Sequence, residues 1–388
     1  MARRAARLAG GTAAARTGGG ASAARPRGGI ITGYLLKQIR QSAGLSQEGL
    51  AERLRVDANT VQGWETGRRS LTGTRVATLV ELRHRLRQLG ADPQLLAALE
   101  DAAEADYVLA YTLGSEPGAG GPDAHPLACW VPKRSFAYLL AWPFTGQPPI
   151  ALRQASTRRG PVAPAPVLSQ EERTRFFEHL RMVAEQSLSD RRLDEAKGML
   201  LRRNAYYSLS WNSSSETTAW LRELEQGEAR RLGRLESWSP SWTAARSLLV
   251  ARARRGDKEP LRHFIGTGLS SDACQAASLN YWAYWIGEVP ETHSSDEFMA
   301  GDLGPWSGAA LLRRFAANLI AAEPLADLYA HSLWALLERR GRLLEADPQF
   351  ARSLAGGVEA LLAEGDLSVQ SRQELEQVHY GVRLLNKS

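Results

Sequence analysis

A chain of 388 residues with 44% hydrophobic side chains and 11 tryptophans has the length for two or three domains and too much apolar content for a disordered protein. The formal charge is +6 at pH 7, and the two cysteines, Cys129 and Cys274, lie far apart outside any CxxC or CxxH pattern, which argues against a disulfide framework or a zinc site. No apolar run approaches the roughly 20 residues that span a bilayer, and the N-terminus lacks the continuous apolar segment of a signal peptide, so a soluble, intracellular protein is expected.

Charge is uneven along the chain. Residues 1–29 hold Arg3, Arg4, Arg7, Arg16, Arg25 and Arg27 and no acid. Their Ala/Gly-rich, non-periodic context reads either as a disordered tail or as the product of a mis-assigned start. Between 30 and 90, ten Lys and Arg face five acids, whereas residues 91–109 have five acids and no base. Positive charge gathered at the front is what a polyanion-binding region requires.

From Ile30 to Leu113 the pattern is helical. Leu35, Leu36 and Ile39 give a first helix one apolar side, which Gly44 ends. Ser46 is placed to cap a second helix, Gln47 to Leu54, that buries Leu50, Ala51 and Leu54. After a turn at Arg55–Val56, Asp57 caps a third helix, Ala58 to Thr66. Its inward residues are Val61 and Trp64. Asn59, Gln62, Gly63 and Thr66, spaced i, i+3, i+4 and i+7, form the outward face. A mid-helix Gly costs about 1 kcal/mol relative to Ala, and solubility alone would favour Lys and Glu there. Small Ala51 against modest Val61 lets two short helices cross steeply, the geometry of a helix-turn-helix.

The stretch "LKQIRQSAGLSQEGLAERLRVDANTVQGWETGRR" resembles the Cro/cI-type (XRE) helix-turn-helix family of lambda-repressor-like fold, over about residues 33–90. Gln47, Ala51, Val61, Glu65 and Gly67 match the family's pattern at fixed spacing; Arg55 departs from it, standing where the family usually has Gly, so a turn either tighter or slightly reset is expected. The resemblance implies that the third helix enters the major groove of double-stranded DNA. Asn59, whose amide can bond adenine N7 and N6 together, is then the leading base-reading residue, with Gln62 second. Gly63 stands where the family often carries a base contact, and would let the backbone approach the bases. Gln47 at a helix N-terminus, with Thr60, Arg68 and Arg69, would hold phosphates. Arg40 and Glu65 match positions that form a partly buried ion pair between helices 1 and 3. Ordinary solvated polar residues are the alternative at each of these positions. The Arg-rich tail would lie along the backbone or in a minor groove, or serve only as a spacer.

"GSEPGAGGPDAHP" (Gly114 to Pro126) reads as a linker from its Gly and Pro content. An aromatic segment, "ACWVPKRSFAYLLAWPFTGQPP", and a proline-rich stretch, "RRGPVAPAPVL", complete a region from 114 to 168. Residues 169–388 read as all-α, as stacked helical pairs without a clean repeat consensus. Capping boxes are expected at Ser169–Glu172 and Ser371–Glu374, Pro-initiated helices at Ser239–Pro240 and Asp347–Pro348, and left-handed C-caps at Gly256 and Gly365. In "SLNYWAYWIGEV" (Ser278 to Val289) the aromatics either pack the core or line a pocket for an apolar effector. The seven histidines are dispersed without an HxxxH pair, and no phosphate loop, GxSxG elbow or pair of catalytic carboxylates is present; neither enzyme activity nor a cofactor is expected.

The sequence therefore leads to an all-α, sequence-specific transcriptional regulator of a bacterial cytoplasm, nucleoid-associated when bound to DNA. Its larger C-terminal domain would serve for homodimerisation or for sensing a small molecule or a protein. The alternative is a protein-interaction scaffold whose front domain binds DNA weakly or not at all. An antitoxin or phage-type repressor fits the front but explains less of the C-terminal part.

Overall fold

The computed structural model describes residues 28–71, 73–74, 76–116, 120–149, 152, 165–232 and 237–385. The Arg-rich tail up to residue 27 and the proline-rich stretch up to residue 164 lie outside them. Among the described residues there are 17 α-helices and no strand, so the chain is all-α. The front comprises α1 (Ile30–Ser42), α2 (Gln47–Leu54), α3 (Ala58–Glu65), α4 (Val76–Gln88) and α5 (Pro93–Gly114). Local chemistry starts three of them. Ser46 Oγ accepts from the Gly49 N–H at 3.0 Å, Asp57 from the Asn59 N–H at 2.7 Å, and Asp92 from the Gln94 N–H at 2.8 Å just before Pro93.

Two short 3-10 turns, Pro122–Ala124 and Pro126–Ala128, lead into α6 (Arg134–Thr145). The body then runs through α7 (Gln170–Ser189), α8 (Glu195–Leu209), α9 (Ser215–Leu232), α10 (Pro240–Ala253), α11 (Glu259–Gly268) and α12 (Asp272–Ile286). A 3-10 turn at Asp296–Ala300 precedes α13 (Ala309–Ala316), α14 (Ala326–Arg339), α15 (Arg342–Glu345), α16 (Pro348–Glu364) and α17 (Val369–Leu385). Packing follows chain order: α7 on α8, α8 on α10, α10 on α11, α11 and α12 on α14, α14 on α17, and α17 on α16. Helices α8 and α10 bury residues on nearly every side, Trp242 through Ala251 in α10, which marks them as the interior layer.

Helix α5 joins the front to the body. It packs against α1 on one side and against α6 and α7 on the other, and one hydrophobic cluster runs from Ile30 to Val382. The expected linker is accordingly not free over residues 120–126. Pro122, His125 and Pro126 are buried, with the His125 ring 5.2 Å from Tyr111 of α5 and 5.5 Å from His179 of α7. Here proline fixes tight 3-10 turns instead of loosening the chain.

Most caps stand where the sequence placed them. Ser169 and Glu172 form the reciprocal capping box, Ser239 and Asp347 cap helices that begin with proline, and Gly256 is left-handed at φ 94°. Two differ. Ser371 lies inside α17, fully buried, and Ser368 caps that helix by accepting the Ser371 N–H at 3.1 Å. Gly365 ends α16 in an extended conformation, φ −79° and ψ 137°.

Candidate nucleic-acid interface

Helix α1 is the platform. Ile31, Leu35, Leu36 and Ile39 are fully buried, and a Cβ at Gly33 would run into the Trp64 carbonyl oxygen, so only glycine lets α1 approach the end of α3 this closely. Gly67 closes the turn after α3 at φ 69° beside Ile30, where any side chain would be both strained and crowded. These two contacts fix the angle at which α3 leaves the core.

The back of α3 is locked. Val61 is fully buried and Trp64 is 6% exposed, packed with Leu50 and Ala51 of α2 in the same cluster. Arg40 donates from Nε to Glu65 Oε1 at 2.5 Å and from Nη2 to Oε2 at 3.1 Å, with both side chains under a tenth exposed. Arg40 also donates to the Leu45 carbonyl at 2.6 Å, and Gln47 Nε2 donates to Glu65 Oε2 at 2.6 Å. Glu65 thus ties α1, α2 and α3 together, and its carboxylate is satisfied by three donors, as a buried charge must be. Gln47, expected to hold a phosphate, spends its amide nitrogen on this network.

The turn between α2 and α3 is closed by its own backbone. Arg55 adopts φ 57° and ψ 44°, and its N–H and the Val56 N–H return to the Glu52 and Ala51 carbonyls. The position that the resemblance assigns to Gly is therefore held in the left-handed region by an arginine. Arg85 of α4 donates to the Arg53 carbonyl at 2.7 Å and closes the end of α2.

Opposite the locked back, Asn59, Gln62 and Thr66 are exposed. Among the described residues, the side-chain amides of Asn59 and Gln62 make no hydrogen bond, while Thr66 Oγ1 returns to the Gln62 carbonyl at 2.8 Å. Gly63 differs from its expected place on the open face. It is buried, because Arg69 folds back over it; a Cβ at Gly63 would meet Arg69 Cδ at 3.1 Å. Arg69 anchors this fold-back twice, through its N–H to the Gly63 carbonyl at 2.9 Å and its Nη1 to Thr60 Oγ1 at 2.9 Å. The absence of a side chain at Gly63 makes room for an arginine beside α3, and the pairing of Thr60 with Arg69 was not readable from the motif. Arg68 is exposed, without an ion pair among the described residues.

The resulting surface is an exposed amide pair on one helix face, flanked by Arg68 and Arg69, on a helix whose back is held by the Arg40–Glu65 bridge and buried Val61 and Trp64. Such a face can offer donors and acceptors to base edges and cations to phosphates. No curated protein and no solved structure matches the chain. Residues 36–82 match the family model described as helix-turn-helix, and this segment is an XRE-type helix-turn-helix domain, the module of DNA-binding regulators.

Proposed function

We propose that the chain is a sequence-specific transcriptional regulator that places α3 in the major groove of double-stranded DNA. Asn59 and Gln62 read base edges. Thr60, Arg68 and Arg69 hold phosphates, with Gln47 contributing its remaining amide oxygen and backbone to the position of α2. Gly63 acts indirectly, by seating Arg69. The observation that carries the reading is the contrast across α3: two unengaged amides on one side, and on the other a salt bridge and a tryptophan that hold the helix still. A free polar face on a mobile helix would read nothing.

Eight residues of α3 span only a few base pairs, so the working form is a homodimer on half-sites about 34 Å apart. The helical body supplies dimerisation or responds to an effector, and the protein works in the cytoplasm where the DNA is. Selection of bound sites from a random DNA pool, followed by gel shifts at two salt concentrations, tests this. A palindromic site bound as a discrete band that survives the higher salt is the expected result. Diffuse binding that salt abolishes would sink the reading and favour an interaction scaffold.

A further inference from the structure

Four arginines converge on a cavity in the body. Arg203 of α8 lines one chamber, and Arg246 in the middle of α10, Arg254 just past its end and Arg314 of α13 line a second that shares Tyr207, Tyr281 and Trp285 with the first. The second chamber holds about 40 Å³. It adjoins a wider mouth of about 210 Å³ through Tyr138, Tyr207 and Arg254.

Three of the four cavity charges have no acidic partner among the described residues. Arg203 pairs with Asp296 at 3.0 Å. Among the described residues, Arg246, Arg254 and Arg314 are in no ion pair. Arg246 is only 7% exposed, and its Nε and Nη2 have no hydrogen-bond partner. Its guanidinium carbon lies 4.9 Å from the Tyr281 ring centroid and 5.0 Å from that of Trp282. Ring faces offset part of the desolvation of a cation but leave its N–H donors unmade. Arg314 Nη2 reaches the Tyr138 hydroxyl at 3.3 Å, and Arg254 stands at the exposed rim, 4.8 Å from the Tyr207 ring. Tyrosines supply no counter-charge. Burial pushes the Tyr207 phenol up to about 12, so its hydroxyl remains a donor.

The sequence leaves two readings of this aromatic stretch, core packing or the lining of a pocket for an apolar effector. Tyr281, Trp282 and Trp285 do line the cavity, whereas Tyr284 turns away to donate to the Val131 carbonyl at 2.5 Å. Arginines from three other helices make the cavity cationic.

We propose that this cavity binds a small, multiply anionic organic molecule, a phosphate ester or polycarboxylate, whose charged group meets Arg246 and Arg314 and whose apolar body lies in the mouth beside Tyr207 and Trp211. Two or three negative charges match the three unpaired guanidiniums, and the dimensions exclude a duplex or a folded partner. The site lies in the body and α6 alone, so it stands whether or not α3 reads DNA.

The test is calorimetric titration and thermal melting of the full chain, without DNA and at fixed ionic strength, with pyrophosphate, citrate and phenyl phosphate. A saturable heat and a rise in Tm of a few degrees with at least one of them are expected. Arg246→Met should bind that probe roughly tenfold or more weakly while melting no lower than the parent, because it removes an unpaired buried charge. Arg254→Met, at the exposed rim, gives the same binding readout without disturbing the interior. No saturable binding of any of the three probes would overturn the proposal, and so would binding that both variants retain, which would place the anion on the basic front of the chain.

Discussion

Asn59 and Arg68 sit nine residues apart in one motif, yet physics assigns them separable consequences. An amide that bonds a base edge discriminates; a guanidinium on a phosphate does not. Asn59→Ala is expected to lose about 1–3 kcal/mol of binding at one base pair of the selected site and little at others. Arg68→Ala should weaken every sequence alike and lower the salt slope by about one counterion. Equal losses across all sequences for both variants would remove the base-reading role from Asn59. Arg55 makes a third residue-scale case. A non-glycine residue in the left-handed region carries on the order of 1 kcal/mol of strain. Arg55→Gly should therefore stabilise the front by about 0.5–1 kcal/mol in urea unfolding, a gain reduced by the entropy glycine brings to the unfolded chain. A destabilised variant would mean the arginine side chain contributes more than its backbone costs. The sequence showed that Arg55 departs from the pattern but not which partner would yield. The answer lay in Ala51 and Glu52, whose carbonyls need the N–H groups of that turn.

At the scale of helices, the ends that local rules missed are those capped from a distance. Gly29 offers α1 no side chain, and the first turn is instead held by Asp106 of α5, which accepts the Ile31 N–H at 3.0 Å, the Thr32 N–H at 2.8 Å and the Thr32 hydroxyl. Glu288 treats α13 the same way, taking the Gly308, Ala310 and Leu311 N–H groups at 2.6, 2.7 and 3.0 Å. Both carboxylates face the positive end of a helix dipole and its orphan donors. Ser46, Asp57, Ser169 and Asp347 were legible because a cap and its amide are two or three residues apart; Asp106 was not, because some 75 positions separate it from its partners. Ser368 was missed for a different reason: its cap is local, three residues from the Ser371 N–H, but Ser371–Glu374 met the same local pattern one turn further on, inside the helix. Removing the carboxylate leaves two buried amides without an acceptor. Asp106→Ala is expected to cost about 2–4 kcal/mol in urea unfolding, and to loosen α1 first in hydrogen exchange. A loss below about 0.5 kcal/mol, the level of an ordinary surface substitution, would show that water replaces the carboxylate and that α5 does not hold the front in place.

Across the whole molecule, two buried groups, Asp106 in α5 and His125 in the turns that follow it, make stability depend on pH with opposite signs. His125 is fully buried in the turn between α5, α7 and α8, and burial, helped by the neighbouring His179, lowers it from 6.5 to about 3. Between those values the unfolded chain takes a proton that the folded protein refuses, so stability falls as pH drops below 6.5. Asp106 is raised by burial from 3.8 to about 6 in spite of the Thr32 hydrogen bonds. Between 3.8 and 6 the folded protein keeps a proton that the unfolded chain has released, so this group alone loses stability as pH rises. The two contributions oppose each other over that window, and His125 acts unopposed from 6 to 6.5. Single variants separate them. His125→Asn keeps an acceptor for the Leu127 N–H, which His125 Nδ1 takes at 3.2 Å, and removes the titration. The stability difference between the parent and this variant should grow with pH by about 1.4 kcal/mol per unit up to 6.5 and then level off. For Asp106→Asn the difference should shrink over 3.8 to 6 with the reverse slope. Parallel, pH-independent differences in urea unfolding would mean that both groups exchange protons with solvent in the folded state, and that neither the His125 turn nor the α1–α5 junction is as dry as its packing implies.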